Sequence, residues 1–358
     1  MGNLIYTAGK NAEQIIKDEG LQQERVRIIP CAAGGPKFLS ISSIDKALFG
    51  EFFKDRKKPL SVIGVSIGAW RMAANAQKDP VRAMSYFEHE YIRQHHKLKP
   101  KPRDITNVSF ELLHKYVDKA AIHYILKHPF IRMHIITDRS SKMVSSDNKC
   151  LLGIGIGTAM AMNAISSKSI NLFFKRTILG DKRDKLQLFH SKKFNHEFIS
   201  LTEKNFYSAI LASGSIPLWM TGVKDIEHAP AGTYRDGGMT SYHLDFPYSV
   251  KKTELVLYPH FSQTIKAHWF DKNLPYRKHH KEYMDNTLLI TPSPEFIAKL
   301  PNSKIPDRND FITYNEDYLE RIKVWEKALE QCSVLGDELL EDIASGKIKE
   351  KINLHGSL

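Results

Sequence analysis

The sequence predicts an α/β domain with a mainly parallel central sheet and helices on both faces. Two observations carry this. Apolar, β-branched runs that read as buried strands alternate along the chain with segments of helical periodicity. Two of those runs, residues 26–30 and 60–65, pass directly into small-residue turns and then into helices, as parallel strands do. With 358 residues and 42% hydrophobic content, the chain can bury one large core or two small ones.

In chain order, residues 13–24 read as a short amphipathic helix, and residues 26–30 as the first core strand. That strand runs into Cys31-Ala-Ala-Gly-Gly-Pro-Lys37, where Pro36 suits the first turn of a helix. Phe38, Leu39, Ile41, Ile44, Leu48 and Phe52 continue it at helical spacing. The apolar run 60–65 reads as a buried strand, and Ala69, Trp70, Met72, Ala73 and Ala74 as the helix after it. Asp79-Pro80 opens another helix, with Val81, Met84, Phe87, Tyr91 and Ile92 on its apolar face. Residues 97–103 form a basic, proline-bearing break, residues 110–126 a helical region, and residues 133–137 a strand.

The longest apolar run, 151–165, holds three glycines and is too short to span a bilayer comfortably, so it reads as a buried helix or loop–helix. Residues 172–179 are apolar, 182–185 form a charged turn, and 186–189 read as a strand. Residues 202–212 read as a helix that stops tightly at Ala212-Ser213-Gly-Ser-Ile-Pro217. Residues 255–257 and 288–291 look like short strands. Tyr318, Ile322, Trp325, Leu329 and Cys332 repeat at steps of four and three, a core-facing helical stripe. We assign residues 1–300 to one domain and residues 301–358 to a C-terminal helical extension packed on it.

Composition narrows the function classes. The formal charge is +12, with basic clusters at 54–58, 97–103, 175–185 and Lys251-Lys252. Such a surface suits nucleic acid or an anionic membrane. No helix-turn-helix, zinc finger or aromatic nucleic-acid signature accompanies it, so no nucleic acid is expected. Cys31, Cys150 and Cys332 are far apart, odd in number and without C-x-x-C spacing, which points to reduced thiols serving as small buried residues. His89, His95 and His96 have no converging carboxylates and read as surface or capping residues, so no metal and no cofactor are expected. The N-terminus lacks a basic region and a long apolar core, so no Sec signal is visible. The expected place is the cytoplasm, with peripheral membrane contact; export by a non-Sec route stays open.

Three features with chemical meaning fall in one order. Gly34-Gly35 lies at the carboxyl end of a strand, where backbone N–H groups can point at an oxyanion. Gly64-Val65-Ser66-Ile67-Gly68 is a G-x-S-x-G between a strand and a helix, the context of a nucleophile elbow. Asp236-Gly237-Gly238 is a turn carrying a carboxylate. Acyl transfer needs these parts: an oxyanion donor, a nucleophile and a base.

From about residue 26 to residue 242, this set resembles the patatin-like phospholipase family. There a glycine-rich oxyanion loop, a G-x-S-x-G serine and an aspartate in D-G-G or D-G-A follow each other in this order. The segment ending in Ile216-Pro217 looks like a further family element. The resemblance implies a three-layer α/β/α fold and a lipid acyl hydrolase that cleaves lipid esters, with phospholipid the expected substrate and no metal requirement. It implies Ser66 as nucleophile and Asp236 as general base in a Ser–Asp dyad without histidine. It also implies an oxyanion hole at Gly34 and Gly35, where Lys37 matches the basic residue usual in that loop. The usual loop carries more glycines; this chain has Ala33 before the pair and Phe38 after Lys37.

Two rival readings stand beside it. An α/β-hydrolase esterase would order its triad Ser, Asp, His, for which Asp225 with His243 or His260 would serve. A catalytically silent lipid- or protein-binding module on the same fold is the third, because fold does not fix function.

Overall fold

The computed structural model describes residues 2–95, 100–184 and 196–354. Residues 186–189, read above as a strand, and His96 lie outside them. The described strands are β1 (Leu4–Ala8), β2 (Val26–Cys31), β3 (Leu60–Val65), β4 (Ile131–Ser140), β5 (Phe174–Gly180), β6 (Glu197–Ser200), β7 (Val223–Lys224), β8 (Thr233–Asp236), β9 (Leu255–Pro259), β10 (Thr287–Pro292) and β11 (Ile352–Leu354). They form one sheet in the order β11-β1-β10-β9-β2-β3-β4-β5-β6, with β8 on β4 and β7 on β8. The central run β10-β9-β2-β3-β4 is parallel throughout. Antiparallel pairs lie toward the edges, at β1–β10 and β4–β5.

Side chains alternate across the sheet as the pleat requires. Ile28, Ile63, Val65, Ile136, Ile178 and Val256 face one side, where Tyr242, Leu244 and Phe246 cover them. Ile29, Val62 and Ile135 face the other, into the larger core beneath the helices Ile67–Asn75, Pro80–Ile92 and Phe206–Gly214. The fold is thus an α/β sandwich around a mostly parallel sheet, with a thinner second layer built from residues 242–250 and the helix Lys149–Ile165.

The structure departs from the sequence reading at several elements. The first strand is β1, not β2; its antiparallel partner β10 lies at the far end of the chain, so the short run gives no local sign of pairing. The first helix is Lys10–Glu19 and stops at Gly20, whose φ of 76° caps it. The stretch after Pro36 is not one helix. It is a 3₁₀ turn at Gly35–Ser40, an α-helix at Ser42–Ala47 and a π turn at Leu48–Phe52. The region 110–126 divides into helices Pro102–Tyr116 and Lys119–Leu126, the second capped by Asp118 accepting from the Ala121 N–H. The apolar helix Lys149–Ile165 is not buried all round: Leu152, Gly155, Ile156, Ala159 and Asn163 face inward, while Leu151, Ile154, Met160 and Ile165 are exposed. Cys150, at its start, is exposed too, unlike the buried Cys31 and Cys332. Among the described residues, no helix is long and apolar enough to cross a membrane.

The last described residues close the structure. The 27-residue helix Tyr318–Ala344 buries Trp325, Cys332, Leu335 and Leu339 and packs on the helix Ser42–Ala47, and β11 then adds itself parallel to β1. A buried ion pair fixes the helices near the sheet's carboxyl edge. Arg71 donates to both oxygens of Asp45, Nε to Oδ2 at 2.8 Å and Nη2 to Oδ1 at 2.7 Å. Both side chains are almost wholly enclosed. Removing one partner strands a buried charge. Asp45→Ala is therefore expected to lower unfolding free energy by about 3–5 kcal/mol, and the double replacement Asp45→Leu/Arg71→Met by much less. Urea denaturation of the three proteins checks this.

Candidate active site

The site forms where two strands end against a third. β3 pairs in parallel with β4 through Val65, opposite Ile136. On the same edge of β4, the very next residue, Thr137, pairs with Asp236 at the end of the antiparallel β8. So β3 and β8 meet head-on along one edge of β4. The residue after Val65 is Ser66, and the last residue of β8 is Asp236.

Ser66 leaves β3 with φ 53° and ψ −130°, a conformation rare for a side chain other than glycine, and the helix Ile67–Asn75 begins after it. Two bonds hold that turn. The Ser66 N–H donates to Ser213 Oγ at 2.8 Å, and the Ser213 hydroxyl donates to the Ile136 carbonyl at 2.6 Å. Gly68 is needed because the helix start lies against β2: a Cβ there would fall 1.8 Å from the Cys31 carbonyl oxygen. Gly64 marks the other flank, where β3 passes under Ala69.

The Ser66 hydroxyl donates to Asp236 Oδ2 at 2.8 Å. Asp236 Oδ1 accepts the Gly238 N–H at 2.7 Å, across Gly237, and the Asp236 N–H donates to the Ser215 carbonyl. Burial pushes the Asp236 carboxyl above its ordinary value of 3.8. Arg308, the Gly238 N–H, Ser66 and Lys272 oppose that shift. The turn after Asp236 is tied down from β4: Asp138 accepts from the Thr240 N–H and hydroxyl, and Arg176 donates to Ser241 Oγ and the Thr240 carbonyl.

The small-residue loop lies beside this pair. The Ala33 N–H donates to the Tyr242 carbonyl at 3.0 Å, and Gly34 packs on the Phe261 ring. Gly35 takes φ 58°, which favours glycine, and shares a cavity wall with Ser66. Among the described residues, no acceptor elsewhere engages the Gly34 or Gly35 N–H. Lys37 stands over Phe261, 5.1 Å from the ring centre.

Ser66 opens on a cavity of about 310 Å³ walled by Trp70, Leu112, Trp219, Met220, Phe311 and Ile312. The sequence reading missed this wall, along with Ser213, Asp138 and Arg176. Its far side comes from residues 308–321, in the extension to which no role was given. His95 also lines it, with its ring 4.1 Å from that of Tyr318.

The alternative triad is not assembled. Asp225 sits in an exposed loop and accepts the Gly232 N–H. His243 and His260 are buried with ring centres 4.4 Å apart. Burial pulls His243 well below its ordinary value and His260 to about 3. Among the described residues, no histidine is hydrogen-bonded to Ser66 or Asp236, and no group of three or more His, Cys, Asp or Glu converges as a metal site.

A hydroxyl held on a buried carboxylate, beside free N–H donors and an apolar cavity, can lose its proton to the carboxylate and attack a carbonyl carbon. No protein-family model matches the chain, and no curated protein matches its sequence. Among solved structures the chain is similar to human GIVD cytosolic phospholipase A2, at 10% identity and a TM-score of 0.40. The alignment covers 95% of this chain and 63% of that one, so the chain spans less than two thirds of its length.

Proposed function

We propose that the protein is a serine acyl hydrolase acting on lipid esters through a Ser66–Asp236 dyad. The observation that carries this reading is the 2.8 Å hydrogen bond from Ser66 Oγ, at a strained strand-to-helix turn, to the buried Asp236. Asp236 takes the hydroxyl proton as Ser66 Oγ bonds to the ester carbonyl carbon. The carbonyl oxygen gains the negative charge, and the Gly34 and Gly35 N–H groups meet it. Collapse breaks the bond to the alcohol, which leaves with the proton from Asp236. Water, deprotonated by the same carboxylate, then releases the fatty acid and restores Ser66.

An unperturbed aspartate is a weak base toward an alcohol. Burial narrows that gap, and the raised Asp236 pKa is the expected sign of it. The apolar cavity beside Ser66 suits an acyl chain. The exposed apolar residues of Lys149–Ile165, with the net positive charge, suit peripheral contact with an anionic lipid surface.

Ser66→Ala and Asp236→Asn are each expected to lower hydrolysis by roughly 10³-fold or more, with the double mutant little worse than either single. A lipid panel with released fatty acid read by mass spectrometry measures it. A fluorophosphonate probe should label wild type, His243→Gln and His260→Gln, and should fail on Ser66→Ala. Labelling lost with either histidine and kept in Asp236→Asn would install the triad instead.

Gly35→Val places a β-branched residue at φ 58°, against Arg308, and should cost turnover about 100-fold while circular dichroism stays native. The pH profile carries a sign. Activity needs ionised Asp236, whose pKa is raised, so kcat/KM should climb with pH through a limb above 3.8. Lys272→Met removes a charge that holds this pKa down and should move the limb to higher pH.

A further inference from the structure

Three cations lie close enough to act on one another beside the dyad, and none is in a direct ion pair. Arg308 lines the cavity with Ser66, and its Nε would lie 2.8 Å from a Cβ on Gly35. Lys37 follows two residues after Gly35 and stands over the Phe261 ring that packs on Gly34. Lys272 lies over the Tyr242 ring, 4.4 Å from its centre, and that ring in turn borders Gly238. Among the described residues, none of the three side chains donates a hydrogen bond or forms an ion pair. The acid besides Asp236 that acts on Lys37 and Lys272 is Asp307, which is paired with Lys304 at 3.2 Å.

Like charges gathered in this way raise one another's energy. The effect is visible at Lys272, whose pKa falls to about 8 through burial and the charges of Arg308 and Lys37. Asp236 offsets these charges only at a distance, and no carboxylate pairs with them directly, so the cluster favours a further anion.

The loop that presents Arg308 is fixed. The buried Asp310 carboxylate accepts from Trp325 Nε1 at 2.9 Å, from Lys304 Nζ at 2.5 Å and from the Asp307 N–H at 3.0 Å. This ties residues 304–310 to the long helix, so Arg308 meets a ligand from a set position rather than from a mobile tail.

We propose that Arg308, with Lys37 and Lys272, forms a subsite for an anionic group on the alcohol side of the ester, next to the bond that is cleaved. The acyl chain takes the apolar cavity, and the anion takes the guanidinium fork, which suits phosphate or carboxylate oxygens. This rests on the acyl-hydrolase reading for its reaction but not for its binding. It makes the region beyond residue 300 the source of a specificity-determining residue.

The test separates the two. In Ser66→Ala, which cannot turn over, binding of octyl phosphate, octyl glucoside and inorganic phosphate is measured by calorimetry below micelle concentrations. Octyl phosphate should bind at least tenfold more tightly than either of the others and should weaken as salt rises. Arg308→Gln in that background should cost about tenfold or more, Lys272→Gln less, and Arg308→Lys should restore part of the loss. In the active protein, the ratio of kcat/KM for an acyl glycerol phosphate to that for the matching acyl glycerol should fall by a similar factor in Arg308→Gln. Equal binding of octyl phosphate and octyl glucoside would overturn the subsite. So would inorganic phosphate binding as tightly as octyl phosphate, or an equal loss of turnover on the charged and neutral esters, which would place Arg308 at the oxyanion instead. Anion binding in a protein without hydrolysis would retain the subsite and remove the enzyme reading.

Discussion

The site depends on how one edge of β4 is shared. Val65 pairs with Ile136 and Asp236 with Thr137, so two strands running in opposite directions abut at consecutive positions of a third. This register brings together a hydroxyl and a carboxylate 170 residues apart in the chain. A one-residue slip of either strand would turn Asp236 or the end of β3 to the opposite face of the sheet. The supports gather at this joint. Ser213 bonds both the Ser66 N–H and the Ile136 carbonyl, and Asp138, one residue beyond Thr137, ties down the turn after Asp236.

Burying a carboxylate there is costly, and the surroundings offset the cost only in part. Two hydrogen bonds, from Ser66 and the Gly238 N–H, and the charges of Arg308 and Lys272 favour the ionised form, yet burial outweighs them and the pKa stays raised. Had Arg308 or Lys272 paired directly with Asp236, the carboxylate would be a weaker proton acceptor. Their placement near Asp236, without an ion pair to it, leaves its carboxyl raised and the cations without a direct partner.

The local parts of this site were legible in the sequence, and the long-range parts were not. A strand, a G-x-S-x-G and a helix lie within sixteen residues, and the steric need for Gly68 is written into that spacing. Asp236 could be singled out because its turn is local too. The strand β1 could not, because its partner β10 enters from the far end of the chain. The helix Lys149–Ile165 misled through composition: its apolar residues go all round, while only one face finds a core to enter. Arg308 left no trace, since an arginine in a polar loop has the composition of any solvated surface. What gives it meaning is Gly35, 273 positions earlier, whose missing side chain leaves the guanidinium room beside the loop.

The same glycine therefore answers to two demands. Its φ of 58° costs a glycine no strain, and the space at its Cβ position is filled by Arg308. Backbone donors and a side-chain cation thus meet at one residue from opposite ends of the sequence. The cavity beside this junction is walled by Trp70, Leu112 and Phe311, with Arg308 in its lining, while Lys37 and Lys272 stand over the Phe261 and Tyr242 rings. On the proposed reading, a ligand with an apolar tail and an anionic head takes one orientation at this junction. Reversing it would bring the anion into the apolar cavity at a desolvation cost and forgo its contact with the cations. On the acyl-hydrolase reading, this polarity is what would set which bond of a bound ester lies at Ser66.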